Sequence, residues 1–483
     1  MLKLKGVSTF ITSPVNLSGL SKRSRSLVLF KNAAALSEER LGESTAKKVR
    51  EYFEEREASR GVFDEGEFVK LSESDFDSVE GAKLAFRALL TKSISEAKEH
   101  KAESLHIHPL NIETRHLNIL FAEANHQNFR FDAEGVGSFV IPRIELHVED
   151  QEANAEFLSE ISEARNFGRT LCNIRPDRCT PFYFVNLVEE FAKENKLNFT
   201  IFRDEELKAE GLNLIYTVGR GSVNRPAFAV VEYRGRPDEE TSTALVGKGV
   251  TFDAGGVNIK PSGSMEDMFL DKSGACAAFA AFRSAVKLNL PVNLVLAVPL
   301  AENFVSSTSY RPSDIIISHS KKLVEITNTD AEGRLILADA ISYVQQKFKL
   351  KELIEISTLT GAAMIALGPS YGAVYSNKTE LTQKLQNAGQ NTGDLLWPMP
   401  FSKAIEKRIK SGLAEVVNSS RNRMGGSIEG AEFIKKFVKP ELPWAHIDIA
   451  GVMNESASWA LASKEFGTGF GSALLLDFIK NSA

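Results

Sequence analysis

Apolar and polar positions alternate along this chain with two periods. In the first third, SLVLF from Ser26 is a short apolar run of strand length, and EFVKL from Glu67 also reads as a strand. SLHIH from Ser104 and FVIPRIELHV from Phe139 alternate residue by residue, as half-buried strands do. Between them, residues 44–57 are polar and helix-like, and 82–100 place Leu84, Phe86, Leu89, Leu90 and Ile94 at helical spacing. Interleaved strands and helices predict an α/β domain of modest size. A charged stretch over 149–165 reads as a helical connector, which puts a domain boundary near residue 165.

The remaining two thirds alternate again. Residues 182–196 read as a helix, and FTIF from Phe199, LIYTV from Leu214, AFAVVEY from Ala227 and TALVGKGVTF from Thr243 read as strands. An Ala-rich helix is expected over 273–288 and another helix over 332–348. NLVLAVPL from Asn293 is apolar without polar alternation, as in a sheet covered on both faces. LIEIS from Leu353 and HIDIAG from His446 are further strands. The fold class is therefore α/β in two domains, 1–165 and 166–483, the larger with a central mixed sheet flanked by helices.

Composition narrows the function. A chain of 483 residues with 43% hydrophobic and 25% charged residues is neither disordered nor a disulfide scaffold. Its 58 basic and 63 acidic residues leave a net charge of −5, which gives no global case for a nucleic-acid partner. Three cysteines, Cys172, Cys179 and Cys276, fit a reducing compartment and a cytoplasmic location. No apolar run approaches the roughly 18 residues a membrane span needs. The segment ahead of Glu38 holds Lys3, Lys5, Lys22, Arg23 and Arg25 and no acid. It has the composition of a transit peptide and equally that of a first strand and loop, the reading favoured by the strand at 26–30.

Common catalytic motifs are missing. Gly247-Lys248-Gly249 lacks the first glycine and the hydroxyl residue of a phosphate loop. GPSYG from Gly368 matches a nucleophile elbow in letters, but Pro369 precedes the serine and extended chain follows, so a plain turn is expected. No zinc helix or paired-cysteine motif occurs, and His106 and His108 read as a packed or exposed pair on one strand.

Two segments carry the chemistry, 246–275 and NTDAEGRL from Asn328. Both set acids beside glycines at strand-to-loop-to-helix transitions, where α/β sheets build their sites. Asp253 follows an apolar strand and precedes two glycines, Asp271 stands before the Ala-rich helix, and Asp330 and Glu332 lie two apart, on one side if the stretch is extended. Singly, each has a plain reading: a turn residue, a helix cap, a first-turn acid. Together they carry four negative charges, which repel in one place unless about two divalent cations are bound. Hard oxygen ligands suit Mn, Mg or Zn.

These segments resemble the signature stretches of the leucyl aminopeptidase (cytosol aminopeptidase) family. The likeness extends through STLTGA from Ser357, GGSIEGAEF from Gly425, HIDIAGVM from His446 and GTGFG from Gly467, so it covers the chain from about residue 165 onward. The resemblance implies two divalent metal ions (Zn, Mn, Mg or Co) held by Lys248, Asp253, Asp271, Asp330 and Glu332, with Asp253 and Glu332 bridging. It implies Lys260 and Arg334 as the catalytic, non-ligand pair, with bicarbonate at Arg334. Substrate would meet Met268, Asn328, Thr358, Leu359, Gly361, Ala450 and Met453. The implied activity is release of Leu and other apolar residues from peptides with a free N-terminus, by a homohexamer (a dimer of trimers) whose N-terminal domain serves assembly or regulation. A ligating Lys248 must be neutral, which burial and a neighbouring dication both favour. Two features depart from the family pattern: Lys272 beside Asp271, whose charge is expected to weaken the tighter site or change its metal preference, and NIRPDRCTP from Asn173. A two-metal phosphoesterase and a non-catalytic, DNA-binding role are the competing readings.

Overall fold

The computed structural model describes residues 155–420, 422–454 and 467–482. In the first part of the chain it describes 8–12, 24–30, 47–49, 51, 60–63, 66–72, 76–110, 112–129, 131 and 143–147. Most of the helix expected over 44–57 and most of the basic segment ahead of Glu38 lie outside these residues. The chain divides into two compact units, 3–166 with 390–393, and 167–389 with 394–483. Among the described residues no helix is long and apolar enough to cross a membrane.

The smaller unit is a six-stranded sheet in the order β1-β6-β5-β2-β4-β3, formed by β1 (Ser8–Thr12), β2 (Ser24–Phe30), β3 (Arg60–Phe63), β4 (Gly66–Lys70), β5 (Ser104–Leu110) and β6 (Arg143–His147). All its pairings are parallel except β3 with β4. Helices α1 (Val79–Glu99) and α2 (Thr114–Asn128) bury Phe86, Leu90 and Leu120 in one core with Leu27, Leu29 and Ile107 of the sheet. Ser78 caps α1 by accepting from the Gly81 amide.

Helix α3 (Ala155–Asn173) leads into the larger unit. There α4 (Pro181–Glu194) follows, capped by Thr180, and then β7 (Asn198–Arg203). LIYTV from Leu214 is not the predicted strand but helix α5 (Asn213–Gly219). Leu214, Ile215 and Val218 are buried at helical spacing, and the amides of Leu214 and Ile215 donate to the Asp339 carboxylate at 2.7 and 3.3 Å. A buried acid remote in sequence thus fixes the helical start, which a local apolar run does not reveal.

The central sheet holds β8 (Ala227–Arg234), β9 (Ser242–Gly247), β11 (Asn293–Asn303), β14 (Leu350–Ser357), β15 (Gly372–Ser376), β16 (Leu396–Pro398) and β18 (Trp444–Asp448) besides β7. Their order is β16-β15-β18-β14-β9-β11-β8-β7. The inner four, β18, β14, β9 and β11, run parallel, and β8 and β15 are antiparallel to them. TALVGKGVTF is two strands, because the chain leaves β9 at Lys248 and re-pairs as β10 (Gly249–Asp253) along β11. Strand β11 is buried throughout, as its unbroken apolar run predicts. Helices α6 (Ser273–Lys287) and α7 (Gly333–Lys347) pack on the sheet, α7 with α5 and Val295, Ala244 and Leu353 in one core. Strands β12 (Ile315–Ile317), β13 (Leu323–Glu325) and β17 (Val416–Val417) make a separate small sheet. Helix α8 (Gly361–Leu367) leads directly into GPSYG, so this stretch is a turn and no elbow.

Burial pushes Asp339 up to about 7, against the amides of His319, Leu214 and Ile215 that favour its anion. Its unfolded value is about 3.9, so the native state binds the extra proton and stability falls as pH rises from about 4 to about 7. In a thermal-melt series, the Tm advantage of the native protein over Asp339→Asn is expected to shrink across that window. An advantage constant with pH contradicts the assignment.

Candidate metal centre

The carboxyl ends of the inner strands converge on one place. Asp253 is the last residue of β10, Asn303 the last of β11, and Asp448 the last of β18, while Lys248 follows β9 and Thr358 follows β14. Each sequence-predicted ligand is buried here except Asp330, whose side chain is 33% exposed.

The Lys248 Nζ lies 2.8 Å from Asp271 Oδ1, 2.9 Å from Glu332 Oε1 and 2.9 Å from the Thr358 carbonyl. It passes over the start of α7, where a Cβ on Gly333 would stand 2.4 Å from Lys248 Cε. On the other side Lys260 Nζ reaches Asp253 Oδ2 at 2.8 Å and Asp330 Oδ1 at 2.5 Å. Lys260 returns to Asp253 because the loop turns back at Gly255 and Gly256, with φ of +86° and +62°. A Cβ on Gly255 would come 2.8 Å from Asp330 Oδ1, so the turn also admits Asp330. Asp253, Asp330 and Glu332 each present an oxygen such that the three atoms lie within 4.8 Å of one another.

The plain readings of the acids now separate. The Asp271 side chain does not cap the Ala-rich helix: its Oδ1 accepts from Lys248 and, at 2.6 Å, from the Thr358 hydroxyl. Glu332 stands at the N-cap of α7 but its side chain makes no capping bond. Asp253 does serve its turn, taking the Gly255 amide at 2.9 Å, and joins the cluster as well. The 330–332 stretch is not extended, since Glu332 has helical angles (φ −80°, ψ −36°). Lys272 points away from the centre and donates to the carbonyls of Cys172 and Ile174 at 3.0 Å and to that of Phe269. Its ammonium anchors the turn before Asp271 to the end of α3 instead of confronting the ligands.

Burial raises Asp271 to about 8 and Asp330 to about 7, with neighbouring carboxylates adding to the rise and Lys248 or Lys260 opposing it. Burial also raises Asp253. In Glu332 burial is outweighed by Lys248 and Lys260, and it lies below its usual range. Burial alone would lower both lysines, but Asp271 and Glu332 around Lys248, and Asp253 and Glu332 around Lys260, hold both ammoniums above their ordinary value. The site penalises its own negative charge, so added cationic charge stabilises it. Asp271 Oδ2 and Glu332 Oε2 are buried without a partner among the described residues. Oxygen donors of this kind and two orphaned carboxylate oxygens fit divalent cations.

Arg334 is buried, donates from Nη1 to the Asn418 carbonyl at 2.7 Å and lies 3.6 Å from Glu429. Its Nε meets no acceptor among the described residues. Asn328 turns the chain toward the centre by accepting from the Asp330 amide at 2.9 Å. Thr358 commits its hydroxyl to Asp271. Asp448 accepts from the amides of Leu359, Thr360 and Ala450, joining two predicted substrate segments. Asn454 donates to Asp267 at 2.7 Å, bringing together the turns that carry Met268 and Met453. Gly361 opens α8 and is exposed.

Against known proteins, the family profile described as "Cytosol aminopeptidase family, catalytic domain" matches residues 166–476. The chain belongs to the cytosol aminopeptidase family. A probable cytosol aminopeptidase of Syntrophotalea carbinolica is 40% identical over 347 residues, covering 71% of this chain and 69% of that protein. A leucine aminopeptidase of Caenorhabditis elegans superposes with a TM-score of 0.82 at 26% identity, over 98% of both chains. A bottromycin maturation enzyme solved in complex with Mn gives 0.82 at 26% identity, over 96% of this chain and 100% of that one. This cytosol aminopeptidase family member is accordingly a metal-dependent aminopeptidase, a hydrolase of the metalloexopeptidase class.

Sequence reasoning missed Asn303, Asn418, Asp448 and Glu429. Asn303 donates to Asp253 Oδ1 at 2.8 Å and to the Thr329 carbonyl at 3.0 Å. Its place at the carboxyl end of an apolar central strand is the signal that could have found it. Asp448 is an acid inside an apolar strand, a second usable signal. Asn418 has none.

Gly333→Ala adds a methyl where Lys248 lies, while a helix start tolerates alanine. The variant is expected to fold normally and bind Mn²⁺ at least several-fold more weakly by calorimetric titration. Unchanged affinity contradicts the placement of Lys248.

Proposed function

We propose that the protein releases leucine and similar apolar residues from the free N-terminus of peptides through a two-metal centre. The observation that carries this reading is the interleaving of Lys248 and Lys260 with Asp253, Asp271, Asp330 and Glu332 at the carboxyl ends of the inner strands. Lys248, Asp253, Asp271 and Glu332 would hold one ion, and Asp253, Asp330 and Glu332 the other, more exchangeable one. Bound there, Zn, Mn, Mg or Co ions supply polarisation of the scissile carbonyl and activation of water. To serve as a ligand Lys248 would be neutral, its proton displaced by the neighbouring cationic charge.

The chain's own groups do the rest. Lys260 keeps its charge and donates from Nζ to the carbonyl oxygen as negative charge gathers there. Its exposure, 15% against 3% for Lys248, suits a group that meets substrate. Arg334 cannot act as a base and holds an anion of the bicarbonate type, with its Nε still without an acceptor among the described residues. The acids draw the peptide's α-amine, which restricts cleavage to the first residue. Met268, Leu359, Gly361, Ala450 and Met453 offer a small and apolar lining suited to leucine or methionine, with methionines adapting to shape. Asn328 and Thr358 border that lining. The cytoplasm is the proposed location and a homohexamer, a dimer of trimers, the proposed assembly, with the unit before residue 166 serving it.

Leucyl-p-nitroanilide hydrolysis is expected to vanish on chelation and return on adding Mn, Zn or Co, with p-nitrophenyl phosphate left intact throughout. Phosphatase activity of comparable size, or peptidase activity indifferent to chelation, refutes the reading. Lys260→Ala is expected to lower kcat about 10²- to 10³-fold with metal content unchanged by elemental analysis. Near-normal turnover removes Lys260 from its role.

A further inference from the structure

The 327–331 segment delivers Asp330 and Glu332 without regular secondary structure, so its course is fixed from outside. Thr329 is held on one side: its hydroxyl donates to the Gly255 carbonyl at 2.7 Å and its carbonyl accepts from Tyr310 and Asn303 at 2.8 and 3.0 Å. On the other side stands Asn418, fully buried directly after β17. Its whole carboxamide is spent on this segment. Oδ1 accepts from the amides of Thr327 and Asn328 at 2.8 and 3.2 Å and from the Thr327 hydroxyl at 3.2 Å. Nδ2 donates to the carbonyls of Asn328 and Ala331 at 2.6 and 3.3 Å. Its main-chain carbonyl accepts from Arg334 Nη1 at 2.7 Å.

The residue type matters. A carboxamide offers an acceptor and two donors at one length and without charge. A carboxylate here would face the Asn328 and Ala331 carbonyls and add a further anion beside a cluster that already repels itself. A shorter side chain would leave buried amides and carbonyls unpaired, which costs more than the bonds themselves contribute.

Resting on the reading of Asp330 and Glu332 as ligands of divalent ions, we infer that Asn418 is a positioning residue that sets the spacing of these two acids and ties it to the place of Arg334. Partners that orient ligands in this way govern metal affinity without touching the metal.

The test titrates Mn²⁺ calorimetrically into the unsubstituted protein, Asn418→Asp and Asn418→Ser, with circular dichroism and leucyl-p-nitroanilide kinetics alongside. Both variants are expected to bind Mn²⁺ about tenfold more weakly or worse at unchanged stoichiometry, with a lower kcat and a KM within about twofold. A merely structural role lowers the stoichiometry and leaves the dissociation constant unchanged, and that result overturns the inference. So does affinity equal to the unsubstituted protein, or failure of both variants to fold. Asn418→Ser carries the test alone if the added charge unfolds Asn418→Asp. If the unsubstituted protein takes up no Mn²⁺, the reading of the centre fails and takes the inference with it. If it binds Mn²⁺ and the variants match it, only the inference fails.

Discussion

Mutual repulsion of four carboxylates gathered in a buried place is the constraint on which this structure turns. Asp253 and Asp271 bound one connection of the sheet and Asp330 and Glu332 end another, and none can shed its field into water except Asp330. Two lysines and a set of neutral amides hold them in position. The lysines answer the charge directly, and the amides of Asn303 and Asn418 fix the loops without dissipating it. A cluster held this way keeps its attraction for additional cations.

The topology makes the gathering cheap in chain length. Parallel strands β9, β14 and β18 and the paired β10 and β11 all end on one edge, so short loops suffice to bring their last residues together. The break at Lys248 matters most. By leaving β9 and joining β11 as β10, the chain places a lysine and an aspartate, five residues apart, on opposite sides of the same cluster. Gly255, Gly256 and Gly333 remove the side chains that would otherwise occupy the space.

Much of this was legible in the sequence, and the reasons for the rest are physical. The buried β11 and the Ala-rich α6 follow from largely apolar runs, and the acids of both signature segments lie in one cluster with Lys248 and Lys260. What failed were readings that depend on a distant partner. Leu214 to Val218 look like a strand until Asp339, more than a hundred residues on, caps them as a helix. Lys272 looks like a threat to the ligands until the carbonyls at the end of α3 claim its ammonium. Asn418 bears no motif at all, because its role consists of hydrogen bonds to main-chain groups, and main chain carries no sequence signal.

Anomalous diffraction from crystals of the Mn-loaded protein tests the central claim most directly. The account predicts two peaks roughly 3.5–4 Å apart, one contacted by Lys248 and Asp271, the other by Asp330, and both by Asp253 and Glu332. A single peak, or peaks bound elsewhere with the Lys248 ammonium still paired to Asp271 and Glu332, would contradict it.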